Sequence, residues 1–279
     1  MSVEPARTWA SAEAAEVWQR GAARRAQTLA IATEEMLTAA GLEPGLRVLD
    51  IAAGTGDQSI LAAQRVRPGG SVLATDVSSS MLQLAAIAAR DAGLDNVTTF
   101  TADASRMDLG GERFDAAICR FGLMFVPDLE ACLKRVLAAL RPGARFASLV
   151  WSTEIDNPYI GLQLRLVREM NRLPSPPPSL ARTVALSGAG VLVGALTAAG
   201  FLNPEVRRID TPRVFTSVED ALAAMQGSSP ATGELTRDMS DTEREHYAEE
   251  LQRRLVPYRR PDGGVVLPGA ALLGVGVAS

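Results

Sequence analysis

Between about residues 45 and 151, short apolar runs alternate with longer runs of helical period. Arg47-Val-Leu-Asp-Ile51 reads as a buried strand entering a glycine-rich turn, and a helix follows over about 58–66. Ser71-Val-Leu-Ala-Thr-Asp76 gives a second strand with a helix over about 79–92, and Val97 to Ala104 a third. Arg113 to Asp128 holds a fourth strand and its exit loop, a helix spans 129–140, and Leu140 to Trp151 contains a fifth strand. This alternation predicts α/β architecture, a parallel sheet with helices on both faces.

The flanks read differently. Residues 1–40 are helical in period, with Trp9, Val17 and Trp18 and then Leu29, Met36 and Leu37 on the apolar face, and Gly41 and Pro44-Gly45 ending the run. The early tryptophans are either docking anchors or part of a lid. Downstream, helices are expected over about 158–171, 188–199, 217–226 and 241–255, with strand six over 204–209 and the last strand within 265–278. Leu173-Pro-Ser-Pro-Pro-Pro-Ser179 reads as a stiff extended connector. Thr183 to Pro204 is uncharged, but its Gly, Ala, Ser and Thr content reads as a buried helix and turn, so no membrane span is expected.

Composition narrows the chemistry. With 279 residues, 47% of them apolar, the chain can bury a sizeable core. A net charge of −4 without a basic stripe argues against nucleic acid as partner. Lys134 is the sole lysine, which disfavours pyridoxal-phosphate and P-loop enzymes. Cys119 and Cys132 lack a zinc spacing and His246 is the sole histidine, so no metal is expected and the thiols read as buried structural groups. No apolar leader is visible at the N-terminus, and the expected location is cytoplasmic.

The first turn holds the candidate chemistry. Asp50 ends the first strand, and Ala52, Gly54 and Gly56 shape a loop that brings backbone and a helix N-terminus near a ligand. A dinucleotide fingerprint fits badly: aligned on Gly54 and Gly56 its third glycine is Ser59, and aligned one step earlier its first is Ala52. Asp76, 26 residues after Asp50, suits the ribose hydroxyls of a nucleoside, the alternative being a helix cap shared with Ser78 to Ser80.

Asp50-Ile-Ala-Ala-Gly-Thr-Gly56 resembles motif I of the class I S-adenosylmethionine-dependent methyltransferases, with Ala52 in place of that family's first glycine. Phe114-Asp115 and the run Cys119-Arg-Phe-Gly-Leu-Met-Phe-Val-Pro-Asp128 resemble motif IV, in a version similar to the ubiquinone/menaquinone C-methyltransferases. Leu140-Arg-Pro-Gly-Ala144 resembles the family's turn into strand five, Ala144 standing for its second glycine. The matching run covers about residues 45–151.

The resemblance implies a Rossmann-like, doubly wound seven-stranded sheet in the order 3-2-1-4-5-7-6, the last strand antiparallel, with a helical N-terminal and insert cap. It implies a single methyltransferase domain over 1–279: an N-terminal helical lid (1–44), a cofactor-binding core (45–151) and acceptor-side helices with the final strands (152–279). S-adenosyl-L-methionine would be held by Asp50, Ala52, Gly54, Gly56, Asp76, Val77, Met81, Asp103, Ala104, Arg120 and Phe121, with Met81 against the adenine and the Asp103-Ala104 corner reading its edge. Trp18, Met124, Phe125, Trp151 and Tyr159 supply an aromatic, apolar wall for a small or medium hydrophobic acceptor methylated at O, C or N. An acceptor that must lose a proton has His246 as the near-neutral base, unless that histidine is simply a solvated helix residue. Asp156-Asn-Pro-Tyr159 is similar to the N-P-P-Y motif of nucleic-acid adenine methyltransferases, but it follows strand five and reads as a loop-to-helix junction with Tyr159 toward the acceptor. Two alternatives stay open: a cofactor-binding scaffold without transfer, such as a cyclase or regulatory partner, and an NAD(P)-dependent oxidoreductase. Whether the chain forms a homodimer is also open.

Overall fold

The computed structural model describes residues 9–172, 179–227 and 230–279, so the first eight residues of the N-terminal helical run and most of the expected proline-rich connector lie outside the described residues. Helices α1 (Ala12–Arg20) and α2 (Ala22–Ala39) meet at Gly21. The alternating region follows as β1 (Arg47–Ile51), α3 (Asp57–Arg65), β2 (Ser71–Asp76), α4 (Ser79–Asp91), β3 (Val97–Thr101), β4 (Phe114–Arg120), α5 (Leu129–Ala139) and β5 (Leu140–Trp151). The remainder comprises α6 (Pro158–Glu169), α7 (Ser179–Arg182), α8 (Val191–Ala199), β6 (Leu202–Asp210), β7 (Arg213–Phe215), α9 (Val218–Gly227), α10 (Pro230–Thr236), α11 (Asp241–Leu255), β8 (Val265–Leu267) and β9 (Ala270–Val277).

Seven strands form one sheet in the order β3-β2-β1-β4-β5-β9-β6. The pairs from β3 through β5 are parallel, and β9 runs antiparallel to both β5 and β6. Because β9 takes the place of the seventh strand, this is the order implied by the sequence motifs. β7 and β8 form a separate antiparallel ribbon that the sequence pattern did not indicate. The run Val265 to Ala278 contains the last strand, as expected, and a short strand before it; Pro268-Gly269 divides the two, since proline has no N–H for the ladder. β3 stops at Thr101 rather than Ala104, and α8 begins only after Gly190, which adopts a left-handed φ of 75°.

The central strands are covered on both faces, as their unbroken apolar runs require. Alternation assigns the faces: Val48, Ile118, Ala147 and Leu149 pack with Met36 and Leu37 of α2, whereas Leu49, Ile51, Ala117 and Phe146 pack with Leu133 and Val136 of α5. All five parallel strands therefore end at one edge of the sheet, and their carboxyl ends open beneath α1 and α2.

Candidate functional site

At that edge lies a cavity of about 500 Å³. One end is built from the tips of β1, β2 and β3: Ala52 and Gly54, Asp76 and Val77, and Asp103 and Ala104. The Asp76 carboxylate accepts from the Gly54 amide and the Ser78 amide, both at 2.9 Å, so it ties the glycine loop to the start of α4. Burial raises its pKa, and backbone donors oppose that rise. Ser78 caps α4 by accepting from the Met81 amide, which seats the Met81 side chain on the cavity floor. Asp103 is braced in turn, accepting from the Ser105 amide at 2.8 Å and from its hydroxyl at 2.7 Å.

Two side chains at this edge stand in the left-handed region that favours glycine: Ala52, with φ 55°, and Phe121, with φ 57°. Both line the cavity, at the ends of neighbouring strands. Strain held by non-glycine residues gathers at functional sites, where the surroundings over-determine the backbone.

The wall is aromatic. Trp9 meets Trp18 edge-on with centroids 5.2 Å apart and Phe125 at 5.1 Å, and Phe121 stacks on Trp151 at 4.1 Å. Tyr159 lines the same space; its hydroxyl donates to the Ala224 carbonyl at 2.7 Å. The Asp156-Asn-Pro-Tyr stretch is a loop-to-helix junction, with Asn157 at the N-cap of α6 and Pro158 in its first turn.

Charges in the wall are mostly answered. Asp57, at the start of α3, pairs with Arg25 at 3.0 Å and Arg120 at 3.1 Å, and Arg120 also donates to the Thr33 hydroxyl at 3.1 Å. Arg25 lies over the Trp18 ring at 3.8 Å, and burial holds its pKa down at about 10 although Asp57 opposes the shift. Arg24 pairs with Asp220 at 2.6 Å.

Most of the residues expected at the site are brought together. Ala52, Gly54, Asp76, Val77, Met81, Asp103, Ala104, Arg120, Phe121, Trp18, Phe125, Trp151 and Tyr159 all line the cavity. Four expected residues do not. Asp50 is fully buried below the loop, where it accepts from Ser59 Oγ at 2.5 Å and Gln58 Nε2 at 3.2 Å; burial pushes its pKa up to about 7. Gly56 serves helix packing, since a Cβ there would meet Ala85 Cβ of α4 at 2.8 Å. Met124 is 2% exposed and belongs to the core beside Leu133; in the short 3₁₀ turn at 123–125, Leu123 and Met124 face the core and only Phe125 faces the cavity. His246 stands exposed on α11 and does not line the cavity, which removes it as a base acting there. Both thiols are buried, and burial raises the Cys132 pKa to about 12.

Sequence reading missed Arg25, Asp57, Arg24, Asp220, Arg213 and Phe215, all of which line the cavity. Their contacts join segments far apart in the chain, and no local spacing announces them. Among the described residues no cluster of His, Cys, Asp or Glu is arranged to hold a metal ion, and no helix is long and apolar enough to cross a membrane.

A mixed sheet of this order, parallel but for its antiparallel β9, with acid-tipped β2 and β3 facing a glycine loop, is the architecture of class I S-adenosylmethionine-dependent methyltransferases. Residues 48–143 match the family model described as a methyltransferase domain. An uncharacterized protein of Mycobacterium tuberculosis (strain H37Rv) is 34% identical over 183 residues, covering 63% of each chain. The ubiquinone/menaquinone biosynthesis C-methyltransferase UbiE of Ectopseudomonas mendocina is 39% identical over 113 residues, 40% of this chain and 44% of its own. A Bacillus halodurans protein provisionally called a methyltransferase shares the fold, with TM-score 0.60 at 19% identity over 88% of this chain and 98% of the other. Residues 48–143 thus match a methyltransferase domain, and in its sheet-forming half the chain is similar to UbiE and to the class I S-adenosylmethionine-dependent methyltransferases. It spans just under two thirds of the length of its curated mycobacterial relative and under half of UbiE.

Proposed function

We propose that this chain transfers the methyl group of S-adenosylmethionine to a small or medium hydrophobic, aromatic acceptor. The observation that carries the reading is that one cavity holds both the acid-tipped strand ends and a continuous aromatic wall. S-Adenosylmethionine supplies a methyl group already activated on a sulfonium, so the protein's contribution is positioning and exclusion of water. In this reading Asp76 accepts from the ribose hydroxyls, for each of its oxygens keeps a lone pair beyond the amide it already binds. Asp103 and the Ala104 amide take the adenine edge, with Met81 under the ring. Phe121, Phe125, Trp151 and Tyr159 hold the acceptor and keep water from the reacting atom. We read the described N-terminal helices, residues 9–44, as the cover of this site and the described segments after 152 as its acceptor side.

Calorimetric titration with S-adenosylhomocysteine, run against NADH as control, tests the cofactor, and transfer from methyl-labelled cofactor tests the activity. Micromolar binding of the first ligand alone is expected. Binding of NADH alone would overturn the reading, and binding of S-adenosylhomocysteine without transfer to any acceptor in a broad screen would leave a scaffold.

A further inference from the structure

Arg213 brings a positive charge into the acceptor side of the cavity with no carboxylate among the described residues to meet it. It stands at the start of β7, in the ribbon inserted between β6 and β9, and lines the cavity with Trp151 and Tyr159. Its guanidinium carbon lies 4.2 Å from the centre of the Tyr159 ring and 4.9 Å from that of Trp151. Arg24, Arg25 and Arg120, which line the same space, each have an aspartate. The Arg213 main chain pairs with Leu267 in the ribbon, but its guanidinium makes no hydrogen bond or ion pair with any described residue. The aspartates of the cavity are engaged elsewhere: Asp57 by two arginines, Asp220 by Arg24, Asp76 by backbone amides and Asp103 by Ser105.

An aromatic face attracts a guanidinium but accepts none of its five in-plane N–H groups. Arg213 is half-buried, so its donors are partly withdrawn from water and face cavity space where a ligand could supply the acceptors. Burial here already lowers the pKa of Arg213. The rings that flank it also define where a flat ligand would lie, since Phe121 stacks on Trp151 at 4.1 Å directly beside it. A planar, bidentate oxyanion attached to an aromatic skeleton meets both conditions.

We propose that Arg213 is the anion-binding residue of the acceptor site and that the acceptor is an aromatic acid, its carboxylate on Arg213 and its ring against Phe121, Trp151 and Tyr159. This rests on the methyltransferase reading of the cavity, and it adds a charge to an acceptor that the wall alone would make neutral.

The test uses two fluorescent probes with one skeleton, 8-anilinonaphthalene-1-sulfonate and the neutral N-phenyl-1-naphthylamine, with S-adenosylhomocysteine affinity measured in parallel. Replacing Arg213 by methionine is expected to weaken the sulfonate probe by roughly tenfold or more and to leave the neutral one within about twofold. On the unaltered protein, benzoate should displace the sulfonate probe and benzamide should not, a comparison that stands even if Arg213→Met fails to fold. Equal loss of both probes, an unchanged sulfonate affinity, or no binding of the sulfonate to the unaltered protein would overturn the proposal. So would a fall in S-adenosylhomocysteine affinity in Arg213→Met, which would assign the cation to the cofactor's own carboxylate. Failure of the unaltered protein to bind S-adenosylhomocysteine strikes the methyltransferase reading instead, and the two probes still decide the anion site.

Discussion

The methyl group of Ala52 occupies the space that a side chain at Gly122 would need. A Cβ built on Gly122 would stand well under 3.0 Å from Ala52 Cβ and 3.1 Å from Cys119 Sγ. Ala52 takes the place of a glycine in the motif it resembles, and it does so at a left-handed φ of 55°. The neighbouring strand has made room for the extra methyl, so the two positions form one packing unit across β1 and β4. Gly122→Ala is expected to cost about 2–3 kcal/mol by overpacking. Ala52→Gly should change stability by less than about 1 kcal/mol, as relief of strain offsets the greater freedom of the unfolded chain. In the double variant most of the cost of Gly122→Ala should vanish, leaving a coupling energy of about 1–2 kcal/mol in urea denaturation. Additive effects would show that the contact is not what excludes a side chain at 122.

Asp50 gives a pH signature. Its folded pKa is pushed up to about 7 by burial, against about 3.9 in an unfolded chain. Between those values the folded protein keeps a proton that the unfolded chain has released, so this group lowers stability as pH rises from about 4 to about 7. Asp50→Asn preserves the shape and cannot titrate. The stability of the natural protein minus that of the variant should therefore fall by about 2 kcal/mol between roughly pH 5 and pH 6.5, groups common to both cancelling. A flat difference across that range, measured by denaturant unfolding, would mean that Asp50 titrates as an ordinary carboxyl.

Asp57 answers two buried guanidiniums at once, Arg25 and Arg120. With Asp57→Ala both cations remain in the cavity wall without that counter-charge, and the loss expected is about 3 kcal/mol or more. Changing Arg120 to Met as well should recover part of it, because one of the orphaned charges is then gone. Thermal melts of the single and double variants decide, and a double variant less stable than Asp57→Ala would contradict the account.

The two strand-end acids should separate binding from folding to different degrees. Asp103→Ala removes a group whose one internal partner is the local Ser105 turn, so cofactor affinity should fall about tenfold with little change in melting temperature. Asp76→Ala should lower affinity at least as much and also destabilise the loop, for it frees the Gly54 and Ser78 amides together. S-Adenosylhomocysteine titration with parallel melts checks both, and unchanged affinity in the pair would remove the site assignment.

These residues also show which parts of the molecule the chain declares openly. Asp76, Asp103, Gly54 and Phe121 were readable because each lies at the end of a short apolar run, and in a parallel sheet all such ends converge. Sheet order did not come from those runs but from the family resemblance of the motifs they carry. Asp50 and Gly56 looked identical to ligand contacts because a buried support and a contact use the same residue types in the same loop; only the third dimension shows one facing Ser59 and the other Ala85. Met124 and Phe125 are adjacent in one apolar turn, and no pattern says which faces the core. The ribbon of β7 and β8 pairs residues some fifty positions apart through three-residue strands, too short for an alternation to register. Arg213 fell out of view for that reason.

The insert that carries Arg213, Phe215 and Asp220 leaves and re-enters the sheet at neighbouring points. Asp210 of β6 pairs with Ala270 of β9, and the Thr211 amide donates to the Gly269 carbonyl at 2.8 Å just beyond. The segment is therefore hinged on a closed gate of main-chain bonds while the sheet passes beneath it uninterrupted. On the proposed reading, exchange of the stretch from 212 to 268 would be expected to change the acceptor while β1 to β5, whose ends form the methyl-donor side, keep their pairing.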